Sequence, residues 1–127
     1  MVLIDQKEAT LVRFRGPVHQ VLWHSDWSGV PPKHAMGGQS QHRFQANHAN
    51  AVLRWLREVA VTAKQVFIPR GITDLIVSGP GFCKRDLLKD GRLDYRFRVV
   101  RVLDQEYVDD AYGPRECLER LLLNEEG

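Results

Sequence analysis

Short apolar stretches alternate with turn residues at the start of the chain. The stretches read VLI (2–4), TLVRF (10–14) and VHQVLW (18–23), and they are rich in β-branched residues. They are separated by DQKE (5–8) and by Gly16-Pro17, which are typical of tight turns. The pattern predicts three β-strands joined by hairpins.

From Ser40 to Phe67 the hydrophobic positions follow a helical period. The stripe consists of Phe44, His48, Val52, Trp55, Val59, Ala63 and Phe67, flanked by Ala51, Leu56 and Val66, with Arg54, Arg57, Glu58 and Lys64 on the opposite side. The spacing predicts an amphipathic helix roughly 40 Å long at about 1.5 Å per residue, with His48 partly buried. Ser40 can serve as its N-cap, while Pro69 forces Ile68 out of helical geometry and Gly71 follows, which predicts the helix end.

The remaining segments predict an alternation of strands and helices. DLIVSG (74–79) is typical of a strand buried on both faces, and the turn Gly79-Pro80-Gly81 leads into a short helix over 82–89. A further strand is expected within 99–108, and Gly113-Pro114 begins a closing helix, PRECLERLLL. The order βββαβαβα predicts an α/β fold with a mixed β-sheet and packed helices.

Length and composition favour one compact domain over residues 1–127. The chain has 127 residues, of which 43% are hydrophobic, so it can bury a core. The net charge is only +2, and an attraction to nucleic acid must therefore come from local clusters of Lys and Arg. We interpret Cys83 and Cys117, which form no CxxC pair, as reduced core thiols. We see no signal peptide and no run of membrane-spanning length, and we expect a soluble cytoplasmic protein without a cofactor.

Two histidine-containing patterns could suggest catalysis or metal binding. His24-Ser25-Asp26 resembles a compressed hydrolase triad, but neighbouring side chains on a strand alternate in direction and cannot converge on one atom. Of the five histidines, only His42 and His48 share the long helix, and a separation of six positions puts them on different faces. We therefore predict no metal site.

Two further segments have both a structural and a functional interpretation. Gly79-Pro80-Gly81 lies where a phosphate cradle would lie, yet it lacks the third glycine of a dinucleotide fingerprint, and a helix-entry turn explains it equally well. A basic run could meet a phosphate backbone, or could be a solvated face interrupted by Asp86, Asp90 and Asp94. The run comprises Lys84, Arg85, Lys89, Arg92, Arg96, Arg98 and Arg101.

The segment PPKHAMGGQSQHRF (31–44) differs in kind, because two glycines carry a glutamine directly in front of the long helix. Gly37 and Gly38 free the backbone for positive φ and for close approach to another molecule. A mobile loop with a solvated Gln39 is the alternative, and spacing alone does not choose between the two interpretations.

This segment closely resembles PKKHGRGGQSALRF of the middle domain of the eukaryotic and archaeal class-one polypeptide release factors. The resemblance continues through REVAVTAKQVFI, LIVSGPGF and VDDAYGPRECLERL, so it covers nearly the whole chain. It implies that the chain triggers hydrolysis of the peptidyl-tRNA ester in the peptidyl transferase centre of the large ribosomal subunit. It also implies that Gly37, Gly38 and Gln39 are the catalytic residues. The matching flanks that would contact RNA are Lys33, His34, Ser40 and Arg43.

The chain departs from the family pattern at several positions. Ala35-Met36 replaces Gly-Arg before the tripeptide, and the basic first turns of the family's helix are thinned here to Gln45, Asn47, His48 and Asn50. This favours a divergent branch, similar to the release-factor-like peptidyl-tRNA hydrolases that rescue obstructed nascent chains. The family's codon-reading domain and its domain for a GTPase partner have no counterpart in the 127 residues. A Pelota-like module that binds the ribosome without hydrolysis and an unrelated nucleotide-binding domain are the alternatives, and the Gly-Gly-Gln argues against the first.

Overall fold

The computed structural model describes residues 1–30 and 41–126, and side chains are described for 1–30 and 47–123. Its strands are β1 (Val2–Ile4), β2 (Ala9–Arg15), β3 (Val18–Ser25), β4 (Asp74–Gly79) and β5 (Arg98–Asp104). Its α-helices are α1 (Gln41–Phe67), α2 (Cys83–Asp86) and α3 (Gly113–Glu126), and Ile68–Arg70 and Lys89–Gly91 form 3-10 turns. The predicted order of strands and α-helices is confirmed.

The strands form one mixed sheet of five strands in the order β3-β2-β1-β4-β5. The pairs β1–β2 and β2–β3 are antiparallel, whereas β1–β4 and β4–β5 are parallel. The turn after β1 is closed by Asp5, whose Oδ1 accepts the N–H groups of Lys7 and Glu8 at 2.7 Å each. The predicted α/β class and both predicted hairpins are confirmed.

Helices cover both faces of the sheet because the central strands alternate apolar residues toward each side. Val2 and Ile4 belong to a core cluster with Trp55, Val59 and other residues of α1. Leu3, between them, instead packs in a second cluster that contains residues of α3 and of β5. The central strand β1 is therefore buried on both sides, as predicted for β4.

The amphipathic pattern of α1 is confirmed over its described side chains. Ala51, Trp55, Val59, Ala63 and Phe67 are buried, and the charged residues predicted on the opposite side are exposed. His48 is half-buried, as predicted. The α-helix ends at Phe67, so its predicted end is confirmed, although Ile68 and Pro69 continue in a 3-10 turn instead of leaving helical geometry altogether. The turn stops at Gly71, whose φ is +73°.

The later elements differ in length from the prediction. The segment 82–89 forms only the single turn α2 before a 3-10 turn. Strand β5 ends at Asp104 because the next side chain, Gln105, turns inward: its Nε2 donates to the carbonyl oxygens of Tyr107 at 2.6 Å and Gly113 at 2.9 Å. Gly79 cannot be replaced without a shift of the backbone, since its φ is +155° and a β-carbon there would overlap the carbonyl oxygen of Ile4.

Candidate functional site

The residues predicted to act lie almost wholly outside the described part of the structure. Residues 31–40, which are not described, contain Lys33, His34, Gly37, Gly38, Gln39 and Ser40. The backbone of Arg43 lies in α1, and its side chain is outside the description. The structure does describe the two elements between which the segment runs, namely the stretch after β3 and the helix α1.

The stretch after β3 is fixed to the turn between β1 and β2. The hydroxyl of Ser28 donates to the carbonyl oxygen of Gln6 at 2.5 Å and accepts the N–H of Val30 at 3.1 Å. Val30 packs against the cluster that contains Trp55. The chain therefore leaves the described residues at Val30 from an anchored position.

Helix α1 is fixed to the same turn. The indole N–H of Trp55, a side chain only 2% exposed, donates to the carbonyl oxygen of Asp5 at 2.8 Å. Asp5 and Gln6 are adjacent, so neighbouring carbonyl groups hold both flanks of residues 31–40. Asn47, Ala49 and Asn50 are exposed, His48 is half-buried, and Ala51 is the first fully buried side chain described in the helix. The described side chains before Ala51 therefore contribute little to the core.

The His24-Ser25-Asp26 pattern forms no triad. His24 Nε2 lies 2.7 Å from Glu8 Oε2, while the Ser25 hydroxyl donates to the carbonyl oxygen of Trp27 at 3.2 Å. Within the described residues, no group of three or more His, Cys, Asp or Glu side chains could hold a metal ion.

Lys84, in the helix that follows the turn after β4, is not available to a phosphate. Lys84 is buried, and its Nζ donates to the carbonyl oxygen of Gly81 at 2.6 Å and to Asp104 Oδ1 at 2.7 Å. The hydrogen bond from Lys84 lowers the pKa of Asp104. The Ser78 hydroxyl donates to Gln105 Oε1 at 2.5 Å. Lys84 and Ser78 are thus both bonded to the protein's own groups, and the geometry supports the helix-entry interpretation of Gly79-Pro80-Gly81.

Most of the basic run is paired with nearby carboxylates. Arg96 Nε donates to Asp94 Oδ1 at 2.8 Å, and this side-chain hydrogen bond is the main cause that lowers the pKa of Asp94 to about 2. The other ion pairs are Lys84–Asp104, Lys89–Asp86, Arg92–Asp90 and Arg98–Asp74. Only Arg85 and Arg101 of the run remain exposed without an ion pair among the described residues. The solvated-face interpretation therefore fits better than a phosphate-binding surface.

Both cysteines are buried, as predicted. Burial raises the pKa of the Cys83 thiol to about 11 and that of the Cys117 thiol to about 12. Neither thiol is a thiolate nucleophile near neutral pH. Along the described residues, no helix has both the length and the apolar character needed to cross a membrane.

The sequence did not indicate the contacts that anchor the two elements flanking the predicted site. Ser28 carried no signal, because its partner Gln6 lies in a different turn. Trp55 was predicted as a core residue, but its bond to Asp5 depends on a backbone carbonyl that no side-chain pattern marks. In both contacts the donor and the acceptor are far apart along the chain, so local sequence patterns cannot reveal them.

A family model described as eRF1 domain 2 matches residues 1–126. The chain belongs to this family. The residues that match the eRF1 domain 2 model include all five strands of the sheet and the described elements on both sides of the Gly-Gly-Gln segment.

Three relatives of the chain share one name. The chain is 30% identical to "Peptide chain release factor subunit 1" of Methanosphaera stadtmanae over 94% of its length, and 32% identical to that of Methanobrevibacter smithii over 94%. The protein of this name from Pyrobaculum aerophilum is 35% identical over 93% of the chain. The chain covers only 29% to 31% of these relatives, so an eRF1 domain 2 is under a third of each.

A solved structure has the same fold. The crystal structure of the archaeal translation termination factor aRF1 matches 98% of the chain with a TM-score of 0.67, and the match covers 38% of that protein. The sequence identity is 17%, so this likeness concerns the fold alone.

Proposed function

We propose that this chain triggers hydrolysis of the peptidyl-tRNA ester in the peptidyl transferase centre of the ribosome, in translation termination or in ribosome rescue. One observation carries the proposal: a Gly-Gly-Gln tripeptide ends two positions before the first residue of α1, in a chain that matches eRF1 domain 2 over residues 1–126. The names of the relatives support it. In this proposal residues 1–127 act as one domain, with peptidyl-tRNA and the large ribosomal subunit as partners.

Gln39 stabilises and positions rather than transfers a proton. A glutamine amide has no proton to exchange near neutral pH, so it cannot act as a general base. Its side chain can orient a water molecule toward the ester carbonyl, and its backbone N–H can donate to the oxyanion or to the leaving ribose oxygen. The loss of one such donor typically costs about 3–4 kcal/mol of transition-state stabilisation.

Gly37 and Gly38 let the main chain enter a cavity in RNA where a β-carbon would collide. Lys33, His34, Ser40 and Arg43 then contact the surrounding RNA. The ribosome supplies the substrate and part of the electrostatic environment, so the free protein is almost inert. A longer protein that contains this chain would also have the codon-reading domain and the domain for a GTPase partner. Such a protein would act in the cytoplasm.

The test is single-turnover release of labelled peptide from ribosome-bound peptidyl-tRNA. The wild-type chain should release peptide, and Gln39→Ala should slow release, whereas Gln65→Ala should not. Gln65 is a matched control because it is an exposed glutamine near the opposite end of α1. Binding to ribosomes without any release by the wild-type chain would refute hydrolysis and favour the Pelota-like alternative.

A further inference from the structure

An exposed tryptophan lies on the stretch that leads to the Gly-Gly-Gln segment. Trp27 is 78% exposed and follows β3 by two positions. It contributes nothing to the core, whose tryptophan in α1 is Trp55. A single exposed aromatic side chain is common on protein surfaces, so the case for Trp27 depends on how its ring is held and on what surrounds it.

The position of Trp27 is fixed by its neighbours. The hydroxyl of Ser25 donates to the carbonyl oxygen of Trp27 at 3.2 Å, and the backbone N–H of Trp27 donates to the hydroxyl oxygen of Ser25 at 3.4 Å. The six-membered ring lies against Gly29, where a β-carbon would be 3.5 Å from Cη2 of the indole. The next residue, Ser28, is bonded to Gln6. The ring is therefore presented to solvent in a defined place, which lowers the entropy cost of binding.

The surroundings of the ring suit a nucleobase. A shallow cleft beside it is lined by Lys7, Asp26, Trp27, Ser28, Gly29 and Val30. The lining contains one ammonium group, that of Lys7, and one carboxylate, that of Asp26, so the cleft has no strong net charge. A highly charged peptide would therefore not be favoured as its ligand. The π face of an aromatic side chain can stack on any unpaired base, and Lys7 can meet the attached phosphate.

We propose that Trp27 is a stacking platform for an unpaired nucleotide of the large-subunit ribosomal RNA. This inference rests on the proposed function, which brings residues 37–39 to that subunit. Gly37 follows Trp27 by ten positions. The two residues are therefore at most about 35 Å apart, even along a fully extended chain. A tripeptide in the peptidyl transferase centre would thus bring Trp27 within reach of the surrounding RNA.

The experiment measures binding of the chain to vacant large ribosomal subunits by co-sedimentation. Because no tRNA is present, any nucleotide contacted belongs to the ribosomal RNA. Trp27→Ala should weaken binding roughly ten-fold, and Trp27→Phe should stay within about three-fold of wild type because a ring is retained. Tyr95→Ala is the matched control, since Tyr95 is an aromatic residue that is 91% exposed elsewhere on the surface. Thermal melts should show that all the variants fold.

A second measurement identifies the partner as RNA. Acylation of ribosomal 2′-hydroxyl groups should be reduced at one nucleotide by the wild-type chain and by Trp27→Phe, but not by Trp27→Ala. Equal affinity of wild type and Trp27→Ala would overturn the inference. So would a loss of affinity with no change at any nucleotide, which would point to a ribosomal protein. A wild-type chain that does not bind vacant subunits would overturn it as well.

These outcomes separate the inference from the proposed function. Peptide release by wild type and Trp27→Ala at equal rates, over a range of chain concentrations, would leave the proposed function standing and remove the role of Trp27. If binding depended on Trp27 but the wild-type chain released no peptide, the role of Trp27 would stand and the proposed function would be removed.

Discussion

Trp55 of α1 donates its indole N–H to the carbonyl oxygen of Asp5 at 2.8 Å, in the turn between β1 and β2. The adjacent carbonyl group, that of Gln6, accepts the hydroxyl of Ser28. A single turn therefore fixes both elements that flank residues 31–40.

Replacement of Trp55 by Phe should destabilise the chain. The change removes a buried donor and leaves space beside the core cluster, and we expect a loss of about 2–4 kcal/mol in the free energy of unfolding. Urea unfolding followed by circular dichroism would measure it. Trp27→Phe is the control, because Trp27 is exposed and its replacement should change stability by less than about 0.5 kcal/mol. Equal urea midpoints of unfolding for Trp55→Phe and Trp27→Phe would show that the hydrogen bond to Asp5 does not stabilise the fold.

Lys84 should behave as a core residue. Its side chain is only 2% exposed and ties α2 to the end of β5 through Asp104. Lys84→Ala removes the packed stem together with both hydrogen bonds and should cost about 1–3 kcal/mol, whereas Lys84→Met keeps most of the stem and should cost less. Thermal melts would compare the two variants with Lys89→Ala. Lys89 is an exposed lysine five positions after Lys84. If Lys89→Ala proved as destabilising as Lys84→Ala, burial would not explain the effect.

The stability of the 127-residue chain with a free amino terminus should fall as the pH decreases from 8 to 5. The amino group of Met1 is buried and donates to the carbonyl oxygen of Val12 at 2.8 Å, and burial lowers its pKa from 8.0 to about 5. Between these values the unfolded chain binds a proton that the folded chain does not, so acidification favours unfolding by up to about 4 kcal/mol. Below pH 5 this effect levels off.

Acetylation of Met1 provides the control for this pH dependence. The acetylated amine cannot be protonated, so the difference in unfolding free energy between the two forms should change with pH only between 5 and 8. Urea unfolding at several pH values would measure it. A constant difference across this range would contradict the lowered pKa of Met1.

The glycine of the tripeptide should matter more than the glutamine side chain. In the proposed mechanism, Gln39→Ala keeps the backbone N–H that would donate to the oxyanion and loses only the amide, whereas Gly38→Val adds a β-branched side chain that would disfavour positive φ and block entry. Single-turnover peptide release should therefore fall further for Gly38→Val, while thermal melts of both variants stay close to wild type. Loss of release in Gln39→Ala with retention in Gly38→Val would assign the chemistry to the side chain instead.

Local patterns predicted the elements of the fold well, and long-range contacts account for what they missed. Strand β4 has the predicted bounds of Asp74–Gly79, because a continuous apolar run between turn residues needs no distant partner to be recognised. Strand β5 stops early since Gln105 turns inward to bond Gly113, eight positions later. The burial of Lys84 was missed because Asp104, its partner, lies twenty positions away.

The candidate site was predicted by a motif rather than by geometry. Gly37, Gly38 and Gln39 were identified from residue type and resemblance, and they lie outside the described residues. What the structure adds is the support, in the contacts of Ser28 and Trp55. These contacts join separate elements, so no short window of sequence contains both partners.

The central strand β1 pairs with one neighbour in sequence and one distant segment. Its Val2 lies opposite Leu11 in the hairpin and opposite Val77 in β4. The hairpin can form as soon as it is synthesised, but the pairing with β4 must close a loop that contains all of α1, and such closures are slow. A nascent chain therefore carries its Gly-Gly-Gln tripeptide well before Val77 is available. The edge of β1 that pairs with β4 therefore stays open while α1 is being synthesised, and the sheet is completed only after the tripeptide has been made.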